Sequence, residues 1–112
     1  MYLTNFFSEE KTHKLKNIQK TRKLIKDICL DHKINLGFMN CIFCSDEYLL
    51  KMNKKYLNHD YFTDIITFDF SEEKNKLEGD LYISIDRTIE NAKLYKTTKE
   101  LEVIRLITHG CL

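Results

Sequence analysis

The segments Asp64-Ile65-Ile66-Thr67-Phe68-Asp69-Phe70 and Gly79-Asp80-Leu81-Tyr82-Ile83-Ser84-Ile85 decide the fold. In the first, Ile66, Phe68 and Phe70 fall on one face and Ile65, Thr67 and Asp69 on the other. That period of two is the mark of a strand. In the second, Leu81, Ile83 and Ile85 face one way. The intervening 71–78 is a charged turn, so the two segments read as neighbouring strands.

Upstream, Ile34 to Cys44 is apolar and rich in β-branched and aromatic residues, a third strand around Gly37. Tyr2 to Phe7 is a candidate first strand. Residues 17–33 read as a helix with Ile18, Ile25, Ile28 and Cys29 on one face. Ser45 is a good N-cap for a helix to about Tyr56, with Asp46 and Glu47 suiting the positive end of its dipole and Tyr48, Leu49 and Met52 on its buried side. A polar loop, 57–63, follows.

Downstream, Asp86 can cap a helix to about Tyr95, and Thr97-x-x-Glu100 fits a capping box for a last helix. That helix is apolar nearly all round (Leu101, Val103, Ile104, Leu106, Ile107). Such a helix belongs in the core, which would put His109 at the base of a cleft or inside the protein. Strands interleaved with helices indicate α+β or α/β with a mixed four-stranded sheet. We expect a single α+β domain with 64–70 and 81–85 paired and the helix ending at His109 buried.

Composition narrows the function classes. The chain has 112 residues, 43% hydrophobic and 31% charged, with formal net charge +1. This describes an ordinary soluble domain with one core. No apolar run approaches the ~20 residues that span a bilayer. Met1 to Phe7 lacks the basic and long apolar regions of a signal peptide, so a cytoplasmic protein without membrane association is expected. Cys29, Cys41, Cys44 and Cys111 include one C-x-x-C. An offset of three along a strand sends Cys41 and Cys44 to opposite faces, so buried free thiols are expected rather than a zinc knuckle or disulfides.

Charge is unevenly spread. Lys11, Lys14, Lys16, Lys20, Arg22, Lys23 and Lys26 fall together with no acid among them. They form either the solvated face of the first helix, with His13 and His32 beside them on the surface, or a phosphate-tracking patch.

His109 ends the last helix. A second histidine four positions later would stack both imidazoles on one face and make half of a metal site; the sequence given stops at Leu112. Because Gly110 follows, this is not an HExxH site.

From Ser45 onward, order and spacing resemble the YbeY family of metal-dependent endoribonucleases that mature ribosomal RNA. The residues that carry the resemblance are Asn53-x-x-Tyr56, Thr63-Asp64-Ile65-Ile66-Thr67-Phe68, Gly79-Asp80-Leu81-Tyr82-Ile83-Ser84, Arg87, Asn91-Ala92 and His109-Gly110-Cys111-Leu112. In that family the last motif continues as H-G-x-L-H-L-x-G-Y-D-H and its three histidines hold zinc. The resemblance makes His109 the first ligand, with the others four and ten positions on. It implies a hydrolase acting on ribosomal RNA or the ribosome, and it makes residues 1–112 one YbeY-like domain carrying the first part of the metal motif. Where many members have arginine after the tyrosine, this chain has Leu57; where many have proline, it has Phe62.

His59, Asp60, Thr63, Asp64, Thr67 and Arg87 are candidates for a cleft or RNA contact. Each also has a plainer reading: solvated loop chemistry for His59 and Asp60, turn and strand hydrogen bonds for Thr63, Asp64 and Thr67, and a fold-holding ion pair for Arg87. His109 itself can be a hydrogen-bonded core histidine. With one of three ligands, the 112-residue polypeptide is expected to bind little zinc and to be inactive. The alternatives are a non-catalytic RNA- or ribosome-binding remnant and a metal-dependent hydrolase of another substrate.

Overall fold

The computed structural model describes residues 3–8 and 16–111, the side chain of Cys111 excepted. Tyr2, Lys11, His13 and Lys14 lie outside the described residues. The elements run β1 (Thr4–Ser8), α1 (Ile18–Asp31), β2 (Asn35–Cys44), α2 (Asp46–Leu57), β3 (Ile65–Asp69), β4 (Lys76–Ser84), α3 (Ile85–Leu94) and α4 (Lys99–Cys111). One four-stranded sheet has the order β1-β2-β4-β3. β1, β2 and β4 are parallel. β3 is antiparallel to β4, with Ile65 opposite Ile83 and Thr67 opposite Leu81. The mixed sheet and its β3–β4 pairing are as expected; β4 starts earlier, at Lys76. The β2–β4 register shifts between Leu36 and Phe38, a bulge centred on Gly37.

Alternation along the strands fills two separate cores. Met39, Cys41, Phe43, Leu77, Leu81 and Ile83 face α1 and α4, where Ile25, Cys29, Val103, Leu106 and Ile107 meet them. Cys44 and Ile66 face the other way, against Leu49 of α2, with Met52, Phe68 and Tyr82 packed around them. Each fully buried aliphatic side chain contributes ~1.5–3 kcal/mol. Cys41 and Cys44 thus lie on opposite faces, and Cys29, Cys41 and Cys44 are buried free thiols. Burial raises the Cys29 pKa, because the thiolate would be desolvated.

Several local expectations are corrected. Ser45 does cap α2, accepting from the Tyr48 amide at 3.1 Å. However, Tyr48 is exposed, and Asn53 takes the buried place on that helix. Phe70 lies past the end of β3 and is exposed. Ile85 opens α3 instead of extending β4, and the cap of α3 is Ser84, whose Oγ accepts from the Arg87 amide at 3.1 Å. Asp86 instead accepts from the Asp46 amide at 2.9 Å, which joins the starts of α2 and α3. At α4 the capping oxygen is Thr98 Oγ1, bonded by the Leu101 amide at 3.1 Å.

α4 does pack into the core, but it is not apolar all round. Leu101 is exposed, while Glu102 is 1% exposed. The buried carboxylate is tolerated because it is fully paired, and its partners shape the site described next.

Candidate functional site

α2 ends at Asn58, which takes the left-handed conformation (φ 55°) that asparagine tolerates. The following loop is tied back by buried Asn53. Its carbonyl accepts from the His59 amide at 3.1 Å. Its side-chain nitrogen donates to the Tyr61 carbonyl at 2.9 Å. His59 and Tyr61 stack at 5.0 Å between centroids, and their Nδ1 and hydroxyl are 2.9 Å apart. Asp60 pairs with Lys54 at 3.2 Å, both largely exposed. His59 and Asp60 therefore sit on the solvent side of the loop and do not line the cleft beneath it.

That cleft, of about 340 Å³, is lined by Phe62, Thr63, Asp64, Arg87 and Asn91. Three of the candidates from sequence (Thr63, Asp64 and Arg87) are brought together here. Arg87 is held from behind: its Nε donates to Asp46 Oδ2 at 3.1 Å and Oδ1 at 3.3 Å. Ser84 Oγ donates to the same Asp46 Oδ1 at 2.7 Å. With the guanidinium fixed by Asp46, its carbon lies 5.7 Å from the Phe62 ring centroid, a cation–π contact. Arg87 thus forms the ion pair of the plainer reading and also walls the cleft. The Asp64 main chain closes the arrangement, its carbonyl accepting from the Ser84 amide at 2.9 Å.

Asn91 is set by α4. Its side-chain nitrogen donates to Glu102 Oε2 at 3.1 Å. Arg105 Nε and Nη2 donate to the two oxygens of Glu102 at 2.7 Å each. These bonds raise the Arg105 pKa above its already high ordinary value, against the opposing effect of desolvation; Glu102, Tyr95 and Asp64 add favourable charge interaction. Sequence reading placed neither Glu102 nor Arg105 in the site. The available signal was one acid inside an otherwise apolar helical stripe.

His109 is exposed at the end of α4, contrary to the buried or cleft-base position expected of it. The helix end is seated on β3 by Thr67, whose Oγ1 donates to the Gly110 carbonyl at 3.4 Å. A Cβ on Gly110 would stand 3.1 Å from Ile65 Cδ1 and 3.3 Å from Thr67 Oγ1. Glycine is what lets the helix end approach the strand so closely. Among the described residues no three of His, Cys, Asp or Glu come together as a metal-binding group. One imidazole does not hold a structural or catalytic zinc, which needs three or four protein ligands. The described residues therefore do not by themselves fit the metal.

A second feature lies along α1. A groove of about 430 Å³ is lined by Leu3, Thr4, Gln19, Arg22, Lys23, Lys26 and Leu36. Lys16, Lys20, Lys23 and Lys26 are exposed, while Arg22 donates to the Thr4 carbonyl at 2.9 Å. The lysines of the described part of the cluster are solvated. His32 is on the surface, with Nδ1 3.0 Å from the Ile28 carbonyl.

The fold and these features define a single α+β domain whose polar cleft and terminal histidine both adjoin edge strand β3. The profile of the family described as Endoribonuclease YbeY matches residues 4–112. An Endoribonuclease YbeY of Cytophaga hutchinsonii is 48% identical over 107 residues, covering 96% of this chain and 75% of the relative. One of Bacteroides fragilis is 44% identical over 101 residues, covering 88% and 72%. In three dimensions the chain is similar to TM1509 of Thermotoga maritima, solved in solution, with TM-score 0.59, 24% identity and coverage of 96% of this chain and 68% of that one. The chain belongs to the YbeY family of endoribonucleases. No described helix is long and apolar enough to cross a membrane.

Proposed function

We propose that this chain is the RNA-handling domain of a cytoplasmic, zinc-dependent endoribonuclease that hydrolyses phosphodiester bonds of ribosomal precursor RNA, with the ribosome as partner. The observation that carries this reading is the presentation of an exposed His109 beside β3, where Thr67 fixes the helix end at 3.4 Å. His109 is the first zinc ligand, and residues 1–112 form one YbeY-like domain with the first part of the metal motif. The family motif supplies the remaining two histidines four and ten positions after His109; with one imidazole among the described residues, no catalytic step is assigned to the ion.

What the described side chains can do is bind and orient RNA. Lys16, Lys20, Lys23 and Lys26 offer phosphate contacts along α1. Thr63, Asp64 and Arg87 offer a cleft for an unpaired nucleotide, a favoured target of RNA-binding sites. His59 and Asp60, on the solvent side of the loop, and Thr67, at the seat of α4, offer further RNA contacts outside it.

The test is cleavage of a precursor rRNA segment by a protein carrying the family's histidine continuation. EDTA-sensitive cleavage lost in His109→Ala is the expected result; cleavage indifferent to His109→Ala would overturn the assignment. A non-catalytic RNA- or ribosome-binding role is the second reading. It is favoured by Leu57, an exposed apolar side chain at a position many members fill with arginine. Specific binding without cleavage by the extended protein would establish it.

A further inference from the structure

The cleft between the 58–64 loop and α3 has a polarity that goes beyond accommodating RNA in general. Its volume, about 340 Å³, lies at the small end of the ~300–1,000 Å³ range of ligand clefts. It is bounded by a ring that is 51% exposed, Phe62, with the Arg87 guanidinium over it. Flat aromatic and guanidinium groups are the surfaces on which unpaired bases stack.

The polar wall consists of acceptors. The Asp64 carboxylate has no hydrogen-bond donor among the described residues and ionised carboxylates only accept. Asn91 is oriented by its neighbour. Glu102, paired with Arg105, is an acceptor, so the Asn91 amide must turn its nitrogen towards it, at 3.1 Å. The Asn91 oxygen is then the atom left for the cleft. Thr63 Oγ1 spends its proton on the Ile65 carbonyl at 3.3 Å, which leaves its lone pairs. Three independent devices thus place acceptors on one wall, beside the Arg87 guanidinium, whose Nε–H is spent on Asp46.

We infer that this cleft is a base-specificity subsite that seats one unpaired guanine of the RNA, stacked at Phe62 and Arg87, with its N1–H and N2 amino group donated to Asp64 and Asn91. Guanine is the base that carries two adjacent donors on its Watson–Crick edge. Uracil presents one N–H between two carbonyl oxygens, which an acceptor wall repels. Inosine keeps the N1–H and lacks the amino group. The inference rests on the RNA-binding reading above and adds the identity of the base.

The experiment is fluorescence anisotropy of the full chain with three single-stranded RNA pentamers that differ only at the central base: guanine, inosine or uracil. The guanine pentamer should bind about tenfold more tightly than the uracil one, with inosine between. Asp64→Asn introduces a donor where no hydrogen bond of the fold is lost, and should bring the three pentamers to within about twofold of each other. Phe62→Ala should weaken all three alike, by roughly tenfold, the scale of one lost stacking contact. Equal binding of the three pentamers by the unaltered chain would overturn the guanine seat while leaving RNA binding intact. Unchanged selectivity in Asp64→Asn would do the same. Failure of every pentamer to bind would overturn both the seat and the RNA-binding reading beneath it.

Discussion

Gly79 lies so close to Phe68 that a Cβ built on it would overlap the Phe68 carbonyl oxygen. The contact is backbone against backbone across the β3–β4 pair, where Phe68 is opposite Asp80 and Asp69 opposite Gly79. No side-chain rotation relieves it. Gly79→Ala must therefore part the two strands locally or strain the pairing. A cost of about 3 kcal/mol is expected, at the upper end of overpacking changes. Thermal unfolding followed by circular dichroism should show a fall in Tm of more than about 10 °C. A Tm within about 2 °C of the unaltered protein would show that β3 yields without resistance.

Glu102→Ala should destabilise the protein by about 2 kcal/mol. The change strands the Asn91 nitrogen and removes both acceptors of Arg105. The figure is below the ~3–5 kcal/mol of a fully buried broken pair, because the Arg105 side chain is 46% exposed and water can replace its partner. Glu102→Gln, which keeps an acceptor, should cost less. Chemical denaturation measures both; a Gln variant worse than the Ala variant would refute this account.

Cys29 should make stability fall at alkaline pH. Its folded pKa is raised by burial, so above the ordinary thiol range the unfolded chain releases this proton while the folded chain keeps it. The unfolded state then binds fewer protons, and stability declines as pH rises from the unfolded pKa towards the folded one. Below the unfolded value the group has no effect on the slope. Cys29→Ala should flatten that part of the stability–pH curve, whatever it costs at pH 7. In the native protein Cys29, Cys41 and Cys44, all buried, should resist alkylation at pH 8, as read by peptide mass mapping. Rapid labelling of Cys29 without unfolding would contradict its environment.

For metal, the polypeptide of residues 1–112 should carry far less than one zinc per chain. Appending the family's continuation with its two histidines should bring it to about one, since three protein ligands suffice for an open zinc site. Elemental analysis of both proteins, with and without His109→Ala, decides it. Stoichiometric zinc in the 112-residue form, lost on His109→Ala, would mean that other groups complete the site.

If the α1 lysines track phosphates, reversing Lys16, Lys20 and Lys23 to glutamate should lower the salt dependence of RNA binding. Each phosphate contact to a single strand contributes roughly −0.7 to the slope of log K against log salt, so three lost contacts should reduce it by about 2. An unchanged slope would leave these side chains as a solvated helix face.

Much of the fold was legible because local period and tertiary burial agree. The alternation of 64–70 and 81–85 gave the β3–β4 pair, and the three-residue offset of Cys41 and Cys44 foretold their separate cores. The errors came where two good local signals compete. Asp86 is a fine cap residue, yet β4 ends at Ser84 and the helix starts there, leaving Asp86 to bond α2. Thr97 and Thr98 differ by one step, and the geometry selects the second. The site was half legible. Thr63, Asp64 and Arg87 converge as residues of one cleft, but the role of Glu102, the acid inside the apolar stripe of α4, depends on Asn91 and Arg105, which only packing brings against it. Nothing local distinguishes His59 and Asp60, which turn to solvent, from Asp64, which does not.

The parallel core of the sheet also orders events in time. β1 meets β2 through pairs such as Thr4 with Met39, and β2 meets β4 through pairs such as Cys41 with Leu81. Each joins stretches roughly 35–40 residues apart, whereas β3 and β4 close as a nearby hairpin. Such long loops slow folding, because their entropy must be lost before the contacts return it. During synthesis β2 can pair with the earlier β1, but its β4-side edge waits unsatisfied until residues 76–84 have left the ribosome, and α4, which roofs the larger core, comes later still. The hairpin that ends at Ser84 is the natural starting point of assembly, and the seat for the terminal histidine is built before the helix that delivers it exists.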